Sequence, residues 1–404
     1  MLKDKVLKSL DVLYILQYLL MWVQLLKDMG FEGDYLMLFD LFGGKNSMVC
    51  IDVGYRNIKV VEVAVKKNNS IFIENYGIVP TPQNSIKNGA IYDVDTVLAS
   101  IKAVIKEQNM KAKNAKIIMS GTNIITRIYL IDKVVGENED FTIRNSMPQY
   151  LPVDIDNYRV DYKILQTIKD KNQEKYKVFV TAVPRNILQS YVDVLQGLDL
   201  KPLAVDIPAN STAKFFNREI YTKDMEEYYS KRRYKKVEGD TFAVLDFGSE
   251  TTIVNFLKDR VLEFNKVILS GSSNMDEHIA KELGISLAEA EKIKKTYGMV
   301  PPNNLSRRDH VVAYGKISAF IERLAKQIVK CFEFYIERCY GTPISKIFII
   351  GGGSQLNGLS QYLFQLFNVP VYPVGLLNLK GVELKKNLDR DKLNYLINSV
   401  GISL

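Results

Sequence analysis

Apolar and polar positions divide the chain into short strands and a few amphipathic helices, and one arrangement of them occurs twice. Met48 to Asp52 and Ile58 to Val65 are rich in β-branched residues and flank a glycine-bearing turn, which predicts a hairpin, and Ile71 to Tyr76 predicts a third strand. Val97, Leu98, Ile101, Val104 and Ile105 share one face of a helix expected from about Val94 to Gln108, with Asp93 or Asp95 as its cap. A returning strand, Lys116 to Ser120, follows. Residues 241–350 read in the same order: strands at Phe242 to Asp246, Thr252 to Leu257 and Val261 to Val267, then helices, then a strand at Lys346 to Ile350.

Three antiparallel strands, a helix and a returning strand open a ribonuclease-H-like α/β unit, so the repeat of elements predicts two such halves. Between them Ile124 to Leu130, Tyr158 to Leu165 and Tyr176 to Val183 alternate apolar and polar residues, as expected of a small inserted α+β subdomain over 123–183. The expected division gives 37–122, 184–212 and 371–404 to the first half and 213–370 to the second. A charged, tyrosine-rich excursion covers 217–240. A chain of 404 residues is long enough for two cores. Val12 to Leu26 is apolar, but Gln17 and Gln24 interrupt it, and it falls short of the roughly 20 residues that span a bilayer. Glu32-Gly33-Asp34 can be encoded by a bacterial ribosome-binding sequence just before Met37. Translation is therefore expected to start at Met37, with 1–36 an upstream extension, helical or disordered.

An apolar share of 47% and a charged share of 25% are those of an ordinary soluble protein. The net charge of +8 draws on one run, Lys231-Arg232-Arg233-Tyr234-Lys235-Lys236, which reads as a solvated loop in preference to a nucleic-acid site, with weak attraction to an anionic membrane face left open. Cys50, Cys331 and Cys339 lack metal-ligand spacing, which points to a reducing compartment. His278 and His310 are the only histidines, which excludes a multi-histidine metal site, and neither sits in a nucleophile-elbow context.

The repeated turns carry the candidate chemistry. Asp52 and Gly54 close the first strand of one unit, and Asp246 and Gly248 close that of the other. A carboxylate there orders a hydrated divalent cation, so Asp52 and Asp246 are the candidate metal residues, and glycine lets backbone N–H groups approach phosphate oxygens. Tyr55 belongs to the first loop and Lys59 returns toward it on the second strand, while Ser249 and Thr251 add hydroxyls to the second loop. Gly351-Gly352-Gly353-Ser354 follows an apolar strand and precedes a helix near Leu359, a turn suited to a purine and to negative charge. From Ser286 to Tyr297 a capping box, Ser286 with Glu289, starts a helix on which Glu291, Lys294 and Lys295 share a face. A solvated ion-pair face is the plain reading of those three. The functional one has Glu291 bonding ribose hydroxyls and Lys294 packing beside a base.

In order, these motifs resemble the actin-like ATPase superfamily. Gly271-Ser272-Ser273-Asn274-Met275-Asp276-Glu277-His278-Ile279 is similar to the Gly-x-x-x-Met-Asp-x-x-Ile segment of bacterial actins, and Glu289 to Gly298 is similar to their ribose-contacting helix. Ile143 to Asp154 followed by Asp161-Tyr162, Leu198 to Asp206, and Leu396 to Leu404 resemble the PilM family of type IV pilus and type II secretion-like assembly systems, related to FtsA. The resemblance covers Met37 to Leu404. It implies ATP and Mg2+ held between the halves, and a groove beside the inserted subdomain for the N-terminal peptide of a PilN-like membrane protein. Through that partner it implies contact with the inner-membrane platform and its ATPase, in a cytoplasmic protein peripheral to the membrane. Tyr55 and Arg56 stand where the family has a small hydroxyl residue and its neighbour, and Pro208 replaces a second acid after Asp206. Nucleotide binding with weak or absent hydrolysis is therefore expected, and Asp206 or Asn210 is not assigned as a base. An FtsA-like membrane-associated homologue is the alternative reading, and a small-molecule kinase of the same fold ranks below it.

Overall fold

In the computed structural model β1 (Asn46–Val53) and β2 (Asn57–Val65) form the expected hairpin, with Asp52 opposite Lys59 across the antiparallel ladder. The structure describes residues 46–404 apart from 67, 69, 135, 137, 152–156, 171–172, 218–240, 339–341 and 378. The readings made of Val12 to Leu26, the Met37 start, the basic run at 231–236 and nearly all of the 217–240 excursion lie outside the described residues.

β3 (Ile71–Pro80) continues the antiparallel meander, and a minimal hairpin of β4 (Ile86–Lys87) and β5 (Ala90–Ile91) leads into α1 (Val94–Glu107). Asp93 caps α1 by accepting from the Thr96 amide, and Val97, Ile101 and Val104 are its buried face. β6 (Asn114–Ile118) then lies parallel to β1. The chain next makes the inserted unit: β7 (Ile125–Asp132), α2 (Glu139–Ser146), β8 (Tyr158–Asp170) and β9 (Gln173–Pro184). It returns through α3 (Arg185–Gly197), β10 (Lys201–Asp206) and α4 (Pro208–Phe216).

The second half comprises β11 (Thr241–Phe247), β12 (Thr252–Lys258), β13 (Val261–Ile268), α5 (Ser273–Leu283), α6 (Leu287–Tyr297), α7 (Arg308–Arg338), β14 (Lys346–Ile350), α8 (Leu359–Phe367) and β15 (Val371–Pro373). β16 (Val382–Leu384) and α9 (Leu393–Gly401) complete the described chain. The two large sheets run β10-β6-β1-β2-β3-β16 and β13-β12-β11-β14-β15. Without β16, both have the strand order third, second, first, fourth, fifth, which is the repeat expected from the order of elements. One boundary moves: β15 pairs with β14, so the chain leaves the second sheet after Pro373 and not at 371. The short apolar run Val371–Pro373 needs a ladder partner, and the parallel edge of β14 supplies it.

β11 shows why Phe242 to Leu245 are apolar without a break. Phe242 and Val244 point into a core shared with the first half, while Ala243, Leu245 and Phe247 point into the core of the second. A strand buried on both faces has no polar side to alternate with. Phe216 of α4, Phe242 and Phe348 meet in the shared core, with ring centroids 5.1–6.0 Å apart. The inserted unit has a core of its own built on Ile143, Met147, Val178 and Val180 under the sheet β7-β9-β8.

Candidate nucleotide cleft

Each large sheet ends its central strand in the same turn. After β1, Gly54 N–H donates to Asn57 O at 3.2 Å, and a Cβ on Gly54 would lie 2.9 Å from that oxygen and 3.0 Å from the Lys59 ammonium. After β11, Gly248 N–H donates to Thr251 O at 2.9 Å, and a Cβ there would lie 2.8 Å from it. The two loops are braced differently. Thr81 holds the first by donating to Gly54 O at 2.6 Å, whereas the second is held by the chain entering α5, where Ser272 and Ser273 amides donate to Gly248 O and Ser249 O, each at 2.9 Å.

Asp52 and Asp246 occupy matching positions and are both buried, 3% and 8% exposed. Lys59 Nζ donates to Asp52 Oδ2 at 2.9 Å. Burial alone would depress this ammonium, but the charge and hydrogen bond of Asp52, with Asp246 and Tyr395 beyond, hold it above the usual lysine value. Burial pushes the Asp246 carboxyl up; a bond from Asn398 and the charge of Lys59 oppose that push, and Asp52 adds to it. Two buried carboxylates therefore repel each other across one lysine, an electrostatic deficit that a divalent cation would fill. Among the described residues no group of three or more His, Cys, Asp or Glu side chains gathers as a metal cage, so an ion here depends on water and phosphate for its remaining ligands.

The glycine run is built against the second loop. Gly351 has φ +81° and ψ 174°, and a Cβ on it would lie 2.3 Å from Asp246 Oδ1. A Cβ on Gly352 would lie 3.0 Å from the Tyr395 ring, and one on Gly353 2.9 Å from Phe247 Cβ. Ser354 is buried, its hydroxyl donating to Gly351 O at 2.7 Å.

On α6 the expected capping box is present, and its helix face is more divided than the spacing predicts. Glu291 pairs with Arg56 from the first loop across the cleft and, at 2.8 Å, with Lys295. Burial would raise the Glu291 carboxyl, but these two partners hold it below the usual carboxylate range. Lys294 is buried and donates to Asp276 Oδ2 at 2.7 Å and to Ser272 O at 3.0 Å, so its ammonium bolts α6 to α5. Tyr55 lines a small cavity of about 40 Å3 with Ser120, Gly121, Pro208 and Thr251. Asp206 is fully engaged by Lys214 at 2.9 Å and by Asn210 at 2.9 and 3.1 Å. A cavity of about 550 Å3 adjoins this array: it begins at Ser354 and runs between Met299 to Pro301 and α8.

The sequence reading missed two contributors from α9. Asn398 donates to Asp246 Oδ2 at 2.8 Å, and the Tyr395 ring packs on Gly352. Asn394 and Asn398, four apart, share one face of this helix and both are buried, a pattern that marks two buried amides but not their partners.

Two sheets of the same topology, facing each other with like turns at their central strands, define an actin-like ATPase fold. The family model for the type IV pilus assembly protein PilM matches residues 50–404. The chain belongs to that family. A solved PilM-PilN type IV pilus biogenesis complex superposes with TM-score 0.70 at 20% identity over 88% of this chain and 97% of that one. An ethanolamine utilization protein EutJ from Carboxydothermus hydrogenoformans superposes with TM-score 0.51 at 14% identity, over 91% and 92% of the two chains. The cell division protein FtsA of Staphylococcus epidermidis is 26% identical over 346 residues, 78% of this chain and 71% of its own. Among the described residues no helix is long and apolar enough to cross a membrane.

Proposed function

We propose that this pilus assembly protein is an ATP-binding scaffold at the cytoplasmic face of the membrane that receives the N-terminal cytoplasmic peptide of a PilN-like partner. The observation that carries the nucleotide reading is the convergence of Asp52, Lys59, Asp246 and Gly351 on one point between the two sheets. The phosphates lie against the turns at Gly54 to Tyr55 and Gly248 to Thr251, with Lys59 opposite them. A magnesium ion, when bound, neutralises phosphate charge beside Asp52 and Asp246, which hold its waters. Glu291 takes the ribose in exchange for Arg56, Lys295 keeps that carboxylate ionised, and the base enters past Gly352, Gly353 and Ser354 toward the cavity next to Met299.

The peptide reading rests on family membership and on a fold shared with a protein solved as a PilM-PilN complex. Contact with the membrane and with the platform ATPase runs through that partner. The kinase reading needs a free carboxylate in the cleft, and Asp206 is spent on Lys214 and Asn210. The test is calorimetry of Mg2+-ATP with the wild-type chain and Lys59→Ala, then of a PilN-like peptide with and without ATP. Saturable ATP binding lost in the variant is expected, with tighter peptide binding in the presence of ATP. A wild-type chain that takes up no nucleotide refutes the reading.

A further inference from the structure

The last helix joins the cleft to a helix that touches the inserted unit. Asn398 uses both ends of its amide: Nδ2 donates to Asp246 Oδ2 at 2.8 Å, and Oδ1 accepts from Thr212 Oγ1 of α4 at 2.8 Å. Its backbone oxygen accepts from Ser211 Oγ at 2.6 Å. The next residue back on α4, Asn210, holds both oxygens of Asp206 and stands 3.5 Å from the ammonium of Lys163 on β8. Of three consecutive residues of α4, Ser211 and Thr212 thus meet α9, and Asn210 meets the inserted subdomain.

The packing leaves little slack. A Cβ on Gly401 would lie 2.1 Å from Ser211 O, so α9 and α4 meet backbone to backbone, and Thr212 is fully buried with Asn398 nearly so. Turning the Asn398 amide would strand a buried donor and a buried acceptor together. Asp246 Oδ2 takes the Asn398 bond, and Oδ1 faces the glycine run at Gly351. Any shift of that carboxylate toward a cation or phosphate therefore draws on Asn398.

We infer that Asn398 is a positioning residue that ties the second phosphate turn to α4, so that a nucleotide seated against Asp246 changes the freedom of α4 and of β8 beside it. The inference rests on the nucleotide site proposed above and adds the route by which occupancy reaches the partner-binding side. It needs no contact between Asn398 and the nucleotide.

The experiment is hydrogen exchange of the full chain with and without Mg2+-ATP, in the wild type and in Thr212→Val, Thr212→Ser and Asn398→Leu, with ATP affinity measured in parallel. Thr212→Val leaves the cleft untouched and removes only the far bond of the amide. ATP is expected to slow exchange across 208–216 and around Lys163 in the wild type. In Thr212→Val that slowing largely disappears while ATP affinity stays within about threefold, and Thr212→Ser, which keeps the hydroxyl, restores it. Asn398→Leu loses both, with affinity down about tenfold, the effect of one hydrogen bond to a charged acceptor. Full slowing in Thr212→Val overturns the inference while the nucleotide reading stands. A wild type that binds no ATP overturns both.

Discussion

At the residue scale, the cleft depends on atoms that are missing as much as on those present. Gly351 sits in a backbone region essentially closed to other residues, with Asp246 Oδ1 where its Cβ would be. Gly351→Ala is expected to lose about 1–3 kcal/mol in urea melts and to displace Asp246, so ATP affinity falls with stability. Lys59 is the opposite case. Lys59→Ala leaves Asp52 and Asp246 buried and facing each other without their cation, at a cost of about 3–5 kcal/mol. Mg2+ should then raise the melting temperature of the variant over EDTA by more than it does for the wild type. Equal shifts would show that the two carboxylates do not hold the ion. The like placing of Asp52 and Gly54, and of Asp246 and Gly248, was legible because each pair stands at a strand end and the pattern recurs in two copies; Lys59 has no such copy, Ile253 standing opposite Asp246. Arg56 against Glu291, and Asn398 against Asp246, were not, because their partners lie 235 and 152 residues away and nothing local marks the pairing.

At the element scale, one buried acid decides how β2 meets α1. Glu62 is 1% exposed and accepts from the amides of Lys111 and Ala112 at 2.6 and 2.7 Å and from Asn75 Nδ2 at 2.8 Å. It fastens the strand to the turn between α1 and β6. Glu62→Ala orphans two backbone donors, at about 1–3 kcal/mol each, while Glu62→Gln keeps an acceptor and loses less. Neither should alter ATP affinity, since Glu62 lies on β2 three residues beyond Lys59 and faces the α1 end of the sheet; a matched loss of binding in calorimetry would contradict this. The strands themselves were readable because β-branched runs and their glycine turns are local signals. β16 was not, since Val382–Leu384 is too short to show a period and owes its place to the free edge of β3. The helix of residues 286–297 was readable in existence and capping, yet spacing alone could not divide its face: Lys294 is buried where Lys295 is exposed, because α5 covers one of them.

At the scale of the molecule, the inserted subdomain belongs to the first half by chain but is pinned to the second. Lys177 Nζ donates to both oxygens of Glu263 on β13 at 2.6 and 2.7 Å, and Thr126 donates to Asn265 at 2.9 Å. Lys177→Met is expected to cost about 1.5–3 kcal/mol and to speed amide exchange across β7, β8 and β9 more than in the two large sheets. Uniform speeding would show that the pair stabilises the whole and does not anchor the insert. The first half is also completed from far away. Leu393, Leu396, Ile397, Val400 and Ile402 are buried in the core that Val49, Ile51 and Val61 begin, and β16 covers the edge left by β3. In folding, then, the half that leads along the chain is finished last: its sheet waits, part-made and with an open edge, until β16 and α9 reach it, while 241–373 can close its own sheet beforehand.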